Sequence, residues 1–245
     1  MSELLKSKKI HIGLLIILLL ILPLILMHSS YFMSLIAIMF IHIIAAMSLN
    51  LLVGFGGQIS VGNAGFLSVG GYTVAILVNT LNLPIWITIP MSGFVTGLVG
   101  LLIGLPAVRL SEHFLAVVTL GFGLSVPLIL MNWESVTGGY NGMAVIRPSI
   151  LSSDLSFFYL IIIVTIFITL ILHNILKSRI GRSFIAIRDS EVAAQATGIN
   201  VPKYKILMFV ISAFFTGIGG GFYAYWVCFF SPEDFPLATS LFLQS

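Results

Sequence analysis

The chain has 245 residues, 59% of them hydrophobic and only 8% charged, with a formal net charge of +3. Soluble domains keep about a quarter of their residues charged, so this composition excludes a soluble fold and places the chain in a membrane. The basic residues lie between apolar runs rather than on one folded face, which excludes a nucleic-acid footprint.

A membrane-spanning helix needs about 20 largely apolar residues. Seven stretches qualify: about 11–27, 32–54, 59–79, 84–106, 113–131, 156–176 and 205–230. The expected fold is therefore all-α and polytopic, with residues 1–245 forming one transmembrane domain. Lys6, Lys8 and Lys9 precede the first stretch as in a signal peptide, but Pro23 to Ser30 has no small-x-small cleavage pattern, so a retained anchor is expected.

Between the second and third stretches lies VGFGGQISVGNAGFLSVGGY, residues 53–72, with seven glycines. Each glycine weakens an isolated helix by up to about 1 kcal/mol relative to alanine, so the segment serves another purpose. Two purposes fit: close backbone approach between helices, or a broken or re-entrant segment whose freed polar groups line a path. Gln58, Ser60 and Asn63 suit both, as interhelical hydrogen-bonding groups or as path-lining ones. In the fourth stretch, Gly93, Gly97, Gly100 and Gly104 are spaced to share one helical face and predict tight helix contact. The long loop 132–155 centres on TGGYNG, where Thr137, Tyr140 and Asn141 could meet a ligand or docking protein, or form an ordinary exposed turn.

The segment 181–205, GRSFIAIRDSEVAAQATGINVPKYK, is a polar interruption between the last two apolar runs, within a loop of 177–204. Asp189 or Ser190 supplies an N-cap oxygen, Glu191 occupies the positive first turn, and Gly198 stands where a left-handed C-cap is wanted. A helix of about two turns is expected there. Asn200, Val201 and Pro202 then open the last span, since proline is tolerated in a first turn. Within that span Ala213, Gly217 and Gly221 repeat the small-xxx-small packing pattern.

With the N-terminus inside, the seven spans place 10 of the 11 basic residues on the cytoplasmic side and leave only Arg147 outside, as the positive-inside rule requires. Loop 177–204 is then cytoplasmic and loop 132–155 external. The chain has no Gly-Lys dipeptide and so no P-loop. No acidic residue falls in mid-span, which disfavours an ion-coupled carrier, and His42 reads as a packing residue. The nearest approach to a nucleophile elbow, FLSVG at 66–70, has Phe66 in the first glycine position, which argues against an enzyme. Cys228 is the single cysteine, so neither an internal disulfide nor a cysteine metal cluster is expected, and Glu112 beside His113 reads as a first-turn pair, not a metal site.

Residues 48–72, 137–142 and 181–224, in this order, resemble the M-type permease of the branched-chain amino acid ABC importer family. The resemblance implies a permease subunit in the bacterial or archaeal cytoplasmic membrane that imports branched-chain or other apolar amino acids. It implies four kinds of partner: a homologous second permease, two cytoplasmic ATPases that use ATP and Mg, an extracytoplasmic substrate-binding protein, and the lipid bilayer. No cofactor is implied for this chain itself. Importer permeases of this kind carry a coupling loop in which two alanines are followed, after three residues, by glycine; Ala193, Ala194 and Gly198 match it, while Glu191 stands one place earlier than in the general form. The family usually continues with further spans, so a chain shortened at its C-terminal end is expected. Relatives on the same framework carry urea or short amides, and a secondary carrier or a membrane scaffold are the rival classes.

Overall fold

The computed structural model describes residues 30–107 and 112–235. The expected first span, 11–27, lies outside the described residues, as do Lys6, Lys8, Lys9, Arg109 and the chain from 236 onward. Helix α1 is Ser30–Asn50, prolonged by a π-helical turn at Leu51–Phe55; α2 is Asn63–Leu81, α3 Ile85–Ala107 and α4 Glu112–Asn132. A short α5, Glu134–Thr137, leads through strand β1, Met143–Ala144, to α6, Asp154–Lys177. Then come α7, Arg179–Asp189, α8, Glu191–Ala196, and α9, Val201–Val227, followed by strand β2, Phe229–Phe230. Six of these helices, α1 to α4, α6 and α9, are long and apolar enough to cross a membrane. The chain is thus an all-α polytopic membrane protein, and the one antiparallel ladder among the described residues, Met143 with Phe230 and Ala144 with Phe229, only clips the loop 132–155 to the end of α9.

Helix α9 is the core of the bundle. Its central run from Phe215 to Phe222 is buried without interruption. In lipid no hydrophobic force draws one apolar helix to another, so α9 can be enclosed only by close backbone packing and interhelical hydrogen bonds. Both are present. A Cβ on Gly70 would collide with the Gly217 backbone, and one on Gly220 with the Leu67 carbonyl, so α2 and α9 touch main chain to main chain. Along α3 a Cβ on Gly100 would strike Ala213, whereas at Gly93 and Gly104 it would press on Phe214 and Phe209 at 3.0 and 3.2 Å. Gly97 meets Phe214 at an ordinary 3.7 Å, while Gly217 and Gly221 sit against Thr96 and Ser92. Hydrogen bonds cross the same contact: Ser92 donates to the Gly217 carbonyl at 3.2 Å, and the Thr88 and Tyr225 hydroxyls meet at 2.8 Å.

The two ends of the bundle are distinct. At one, Arg188 donates to the Gly54 carbonyl at 3.0 Å, which brings α7 onto the break after α1. At the other, Asn79 donates to the Ala144 carbonyl at 2.9 Å. Arg147, the basic residue that the charge pattern sets apart, belongs to this second end. It pairs with Asp154, gives Nε to the Tyr225 carbonyl at 2.7 Å and Nη2 to that of Trp226, and lies 4.9 Å from the Trp226 ring centroid. A cation on the last carbonyls of a helix is favoured by the helix dipole, so Arg147 caps α9.

The packing has a direct test. Gly220→Ala forces a methyl into the Leu67 main chain and is expected to destabilise the purified protein by about 1–3 kcal/mol through overpacking. Gly121→Ala, with nothing within 4 Å, is expected to be neutral or to gain up to about 1 kcal/mol in helix propensity. Thermal melts in detergent that show the same midpoint for both variants would contradict this account of the α2–α9 contact.

Candidate functional site at the junction of the helix break and the α7–α8 module

The segment after α6 folds as two short helices. The Ser178 hydroxyl caps α7 by accepting from the Ile180 and Gly181 amides at 3.1 and 3.5 Å. The buried face of α7 carries Phe184 and Ile187, and the Phe184 ring meets Tyr204 of α9 edge-on at 6.2 Å. Sequence reasoning over 181–205 missed α7. Its signal was present: Ile180, Phe184 and Ile187 recur at helical spacing while Arg179, Arg182 and Arg188 fill the other face.

The cap of α8 is Ser190, whose hydroxyl accepts from the Ala193 amide at 3.3 Å; Asp189 instead pairs with Arg188 at 3.0 Å. At the other end the Ile199 amide donates to the Ala194 carbonyl at 3.1 Å and the Gly198 amide to that of Gln195 at 3.0 Å. This is a Schellman closure, with Gly198 left-handed at φ +86. The Asn200 side chain then caps α9 by accepting from the Lys203 amide at 3.2 Å. The two alanines of α8 face opposite ways: Ala194 is 3% exposed, against the protein, whereas Ala193 lies on an open face with Val192, Gln195 and Ala196.

This module closes over the helix break. After the π-turn, the Gly57 and Gln58 amides donate to the Val53 and Leu52 carbonyls, each at 3.1 Å. Gly57 has φ +67 and packs against Arg188. Gly56 to Gln58, Leu115 of α4, Arg188, Glu191 and Lys205 surround a polar cavity of about 150 Å³. Lys205, on the second turn of α9, is buried and pairs with the Glu191 carboxylate. Both polar atoms of the Gln58 amide are buried without a hydrogen-bonding partner. A cavity of this size and polarity has room for a few waters that can satisfy such an amide. On the outer side of the same break, Met47, Asn50, Val53 and Gly54 line an open groove of about 500 Å³.

The other sequence-predicted path residues take different positions. Asn63 donates to the Ala45 carbonyl at 3.2 Å and accepts from Thr216 at 3.1 Å, so it ties α2 to α1 and α9. Ser60 is buried beside it in sequence. Thr137 is buried in its own turn, donating to the Leu130 and Trp133 carbonyls at 2.6 and 2.8 Å, while Tyr140 is 67% exposed and Asn141 is exposed. These two groups are not brought together. The Val61 amide meets Thr119, whereas Gly139 packs on Met131, further along the same helix α4 by roughly 18 Å at 1.5 Å per residue. Sequence reasoning also missed Arg188 and Lys205 as site residues, reading them only as positive charges, since Lys205 opens the apolar run 205–230 just after Lys203 and nothing local sets it apart.

Residues 30–243 match the family described as branched-chain amino acid transport system, permease component. The chain is similar to the high-affinity branched-chain amino acid transport system permease protein LivM of Salmonella typhimurium, at 32% identity over 200 residues, 70% of this chain and 47% of that protein. The LivM protein of Escherichia coli is 31% identical over the same shares. A probable branched-chain amino acid transport permease protein LivM of Methanocaldococcus jannaschii is 26% identical over 138 residues, 54% of this chain and 39% of that protein. The chain therefore spans less than half the length of these curated relatives. No solved structure matches it. The relatives are permease components of transport systems, not enzymes.

The α8 closure makes a prediction of its own. A Cβ on Gly198 would meet nothing within 4 Å, so Gly198→Val acts through backbone strain alone, expected at about 1–3 kcal/mol. Gly198→Asn, which tolerates the left-handed region, should cost less. Hydrogen exchange should then quicken at residues 191–199 in the valine variant only, with α9 protection unchanged; equal exchange in both variants would overturn the cap.

Proposed function

Because this chain belongs to the family of permease components of branched-chain amino acid transport systems, we propose that it is a membrane-spanning subunit of an ATP-driven importer for branched-chain or other apolar amino acids. In this reading the break after α1, the α7–α8 module and loop 177–204 face the cytoplasm, and loop 132–155 faces outward. Support comes from the contacts that put Gly54 and Arg188 at one end and Asn79 and Ala144 at the other, combined with the bias of Lys and Arg toward the first end. Two cytoplasmic ATPases supply the energy from ATP and Mg, a homologous permease completes the pathway, and an extracytoplasmic binding protein delivers the substrate. Urea or short amides are the alternative cargo on the same framework.

The observation that carries this reading is the form of α8. It is a capped, six-residue helix with a small, open outer face of Val192, Ala193, Gln195 and Ala196, seated by one buried alanine, Ala194. Such a knob fits a groove on a partner, and Glu191, Ala193, Ala194 and Gly198 shape it. ATP closes the partner dimer, α8 moves with it, and the bundle changes the side to which its path opens. Nucleotide and substrate then bias one two-state element, which is what coupling requires.

Two measurements test this. Val192→Arg and Ala193→Arg on the open face are expected to weaken ATPase capture at least about tenfold, with membrane insertion unchanged. Ala194→Arg should instead unseat the module from the bundle, visible as faster hydrogen exchange across α8. Normal ATPase capture and normal uptake in both open-face variants would overturn the importer reading. Separately, in a Cys228→Ser background, Tyr140→Cys should label from outside and Gln195→Cys only from inside; labelling of both from one side would overturn the orientation.

A further inference from the structure

Resting on the importer reading, we propose that Lys205 is a positioning residue for coupling: its ion pair with Glu191, buried on the lysine side and half-exposed on the carboxylate side, is the strut that carries movement of α8 into α9. The argument starts from the connection between the two helices. Only residues 197–200 join them, and Gly198 in that link is left-handed with open space where a side chain would stand. A link of this kind is a hinge, since a short joint can absorb a displacement by rotating its own φ and ψ. Helix α8 has six residues and cannot hold its own shape or orientation without support from what it touches. A push on its open face would therefore be dissipated at Gly198 unless something bridges the hinge.

Glu191 and Lys205 bridge it. Glu191 is the first residue of α8 and Lys205 lies in the second turn of α9, so the pair spans the hinge from side to side. The lysine is 8% exposed, and a buried ammonium left without its carboxylate is strongly disfavoured, so the pair holds as α8 moves. Ala194 seats the helix but is apolar and can slide. The ion pair and the Schellman bonds differ in what they fix: the bonds set the shape of α8, while the pair sets its position on α9. The cavity of about 150 Å³ beside the pair, bounded by Gln58, Arg188, Leu115 and Ile187, gives the strut room to tilt.

The test uses the complete transporter in proteoliposomes, reading substrate imported per ATP hydrolysed. In Lys205→Met the ATPases should still be captured and hydrolyse ATP, while import per ATP falls about tenfold or more, within the range of site-to-site coupling. Lys205→Arg, which keeps the pair, should restore most of it. The double variant Glu191→Lys with Lys205→Glu should exceed either single reversal, as interacting residues do in a double-mutant cycle. Import per ATP equal to wild type in Lys205→Met overturns the strut. If that variant does not accumulate, Glu191→Gln is read in its place, and an unchanged ratio there overturns it equally. Wild-type uptake that is indifferent to the ATPases would overturn the importer reading itself, a separate result from wild-type coupling that survives loss of the pair.

Discussion

The bundle depends on main-chain contact between α9 and its two neighbours, α2 and α3. Lipid tails solvate an apolar helix as well as another helix does, so leucines facing leucines give no net attraction in a membrane. What remains is dispersion over surfaces that fit, together with hydrogen bonds that lipid cannot offer. Gly70, Gly100, Gly217 and Gly220 remove the side chains that would hold the backbones apart. The close approach then lets Ser92 reach a carbonyl on another helix and lets Asn63 satisfy both ends of its amide between α1 and α9. Ser92 also donates to the Ile89 carbonyl of its own helix at 2.7 Å, so its interhelical bond adds to a partner it already has.

The break after α1 is the other side of the same constraint. A helix that stops within a membrane protein leaves carbonyls and amides that something must satisfy. Here the π-turn takes up some of them, and the Arg188 guanidinium takes the Gly54 carbonyl. Polar contact thus replaces apolar packing at this end, and its members come from α7, α8 and α9 as well as from the break. Among them Gln58 is the unsatisfied one, in a cavity that Arg188, Glu191 and Lys205 line together with Leu115, Ile187 and two glycines. An unpaired amide beside a cavity, closed over by two short helices, is packed less completely than the glycine core, and local opening costs least where packing is least complete.

Six of the seven expected spans, their order and the small-residue faces were legible in the sequence, because hydrophobic length and glycine spacing act locally, while the stretch 11–27 lies outside the described residues. The caps were nearly as legible, with Asp189 and Ser190 as the two candidates at the start of α8: Ser190 and Gly198 on α8 and Asn200 on α9 each act on backbone groups within four residues. Elsewhere two readings stood open, and the sequence could not choose. Asn63 sits among glycines in either reading, and only the placement of Ala45 and Thr216 makes it an interhelical tie. The partners of Arg147 and Lys205 were beyond reach for a plainer reason. Arg147 meets carbonyls 78 and 79 residues away, and a charge pattern records on which side a cation lies, not what it touches.

Helix α9 also differs from α3 and α4 in where its proline falls. Pro90 and Pro106 fall inside α3 and Pro127 inside α4, whereas the only proline of α9, Pro202, stands in its first turn where it breaks no hydrogen bond. A helix of 27 residues is about 40 Å long at 1.5 Å per residue, enough to cross the bilayer in one piece. Its first turns carry Asn200 as cap and Lys205; its last carbonyls hold Arg147, and β2 beyond them pairs with β1. A displacement imposed near Val201 is therefore carried along one unbroken helix as far as Val227, where Cys228 at φ +63 turns the chain into β2. The glycine faces decide what moves with it: main-chain contact with α2 and α3 leaves no compliant side chains between them, so these three helices shift together. Helix α4 also approaches α2 through backbone, since a Cβ on Gly62 would meet the Thr119 carbonyl at 2.7 Å, while much of the rest of α4, which bears Pro127, is uncovered.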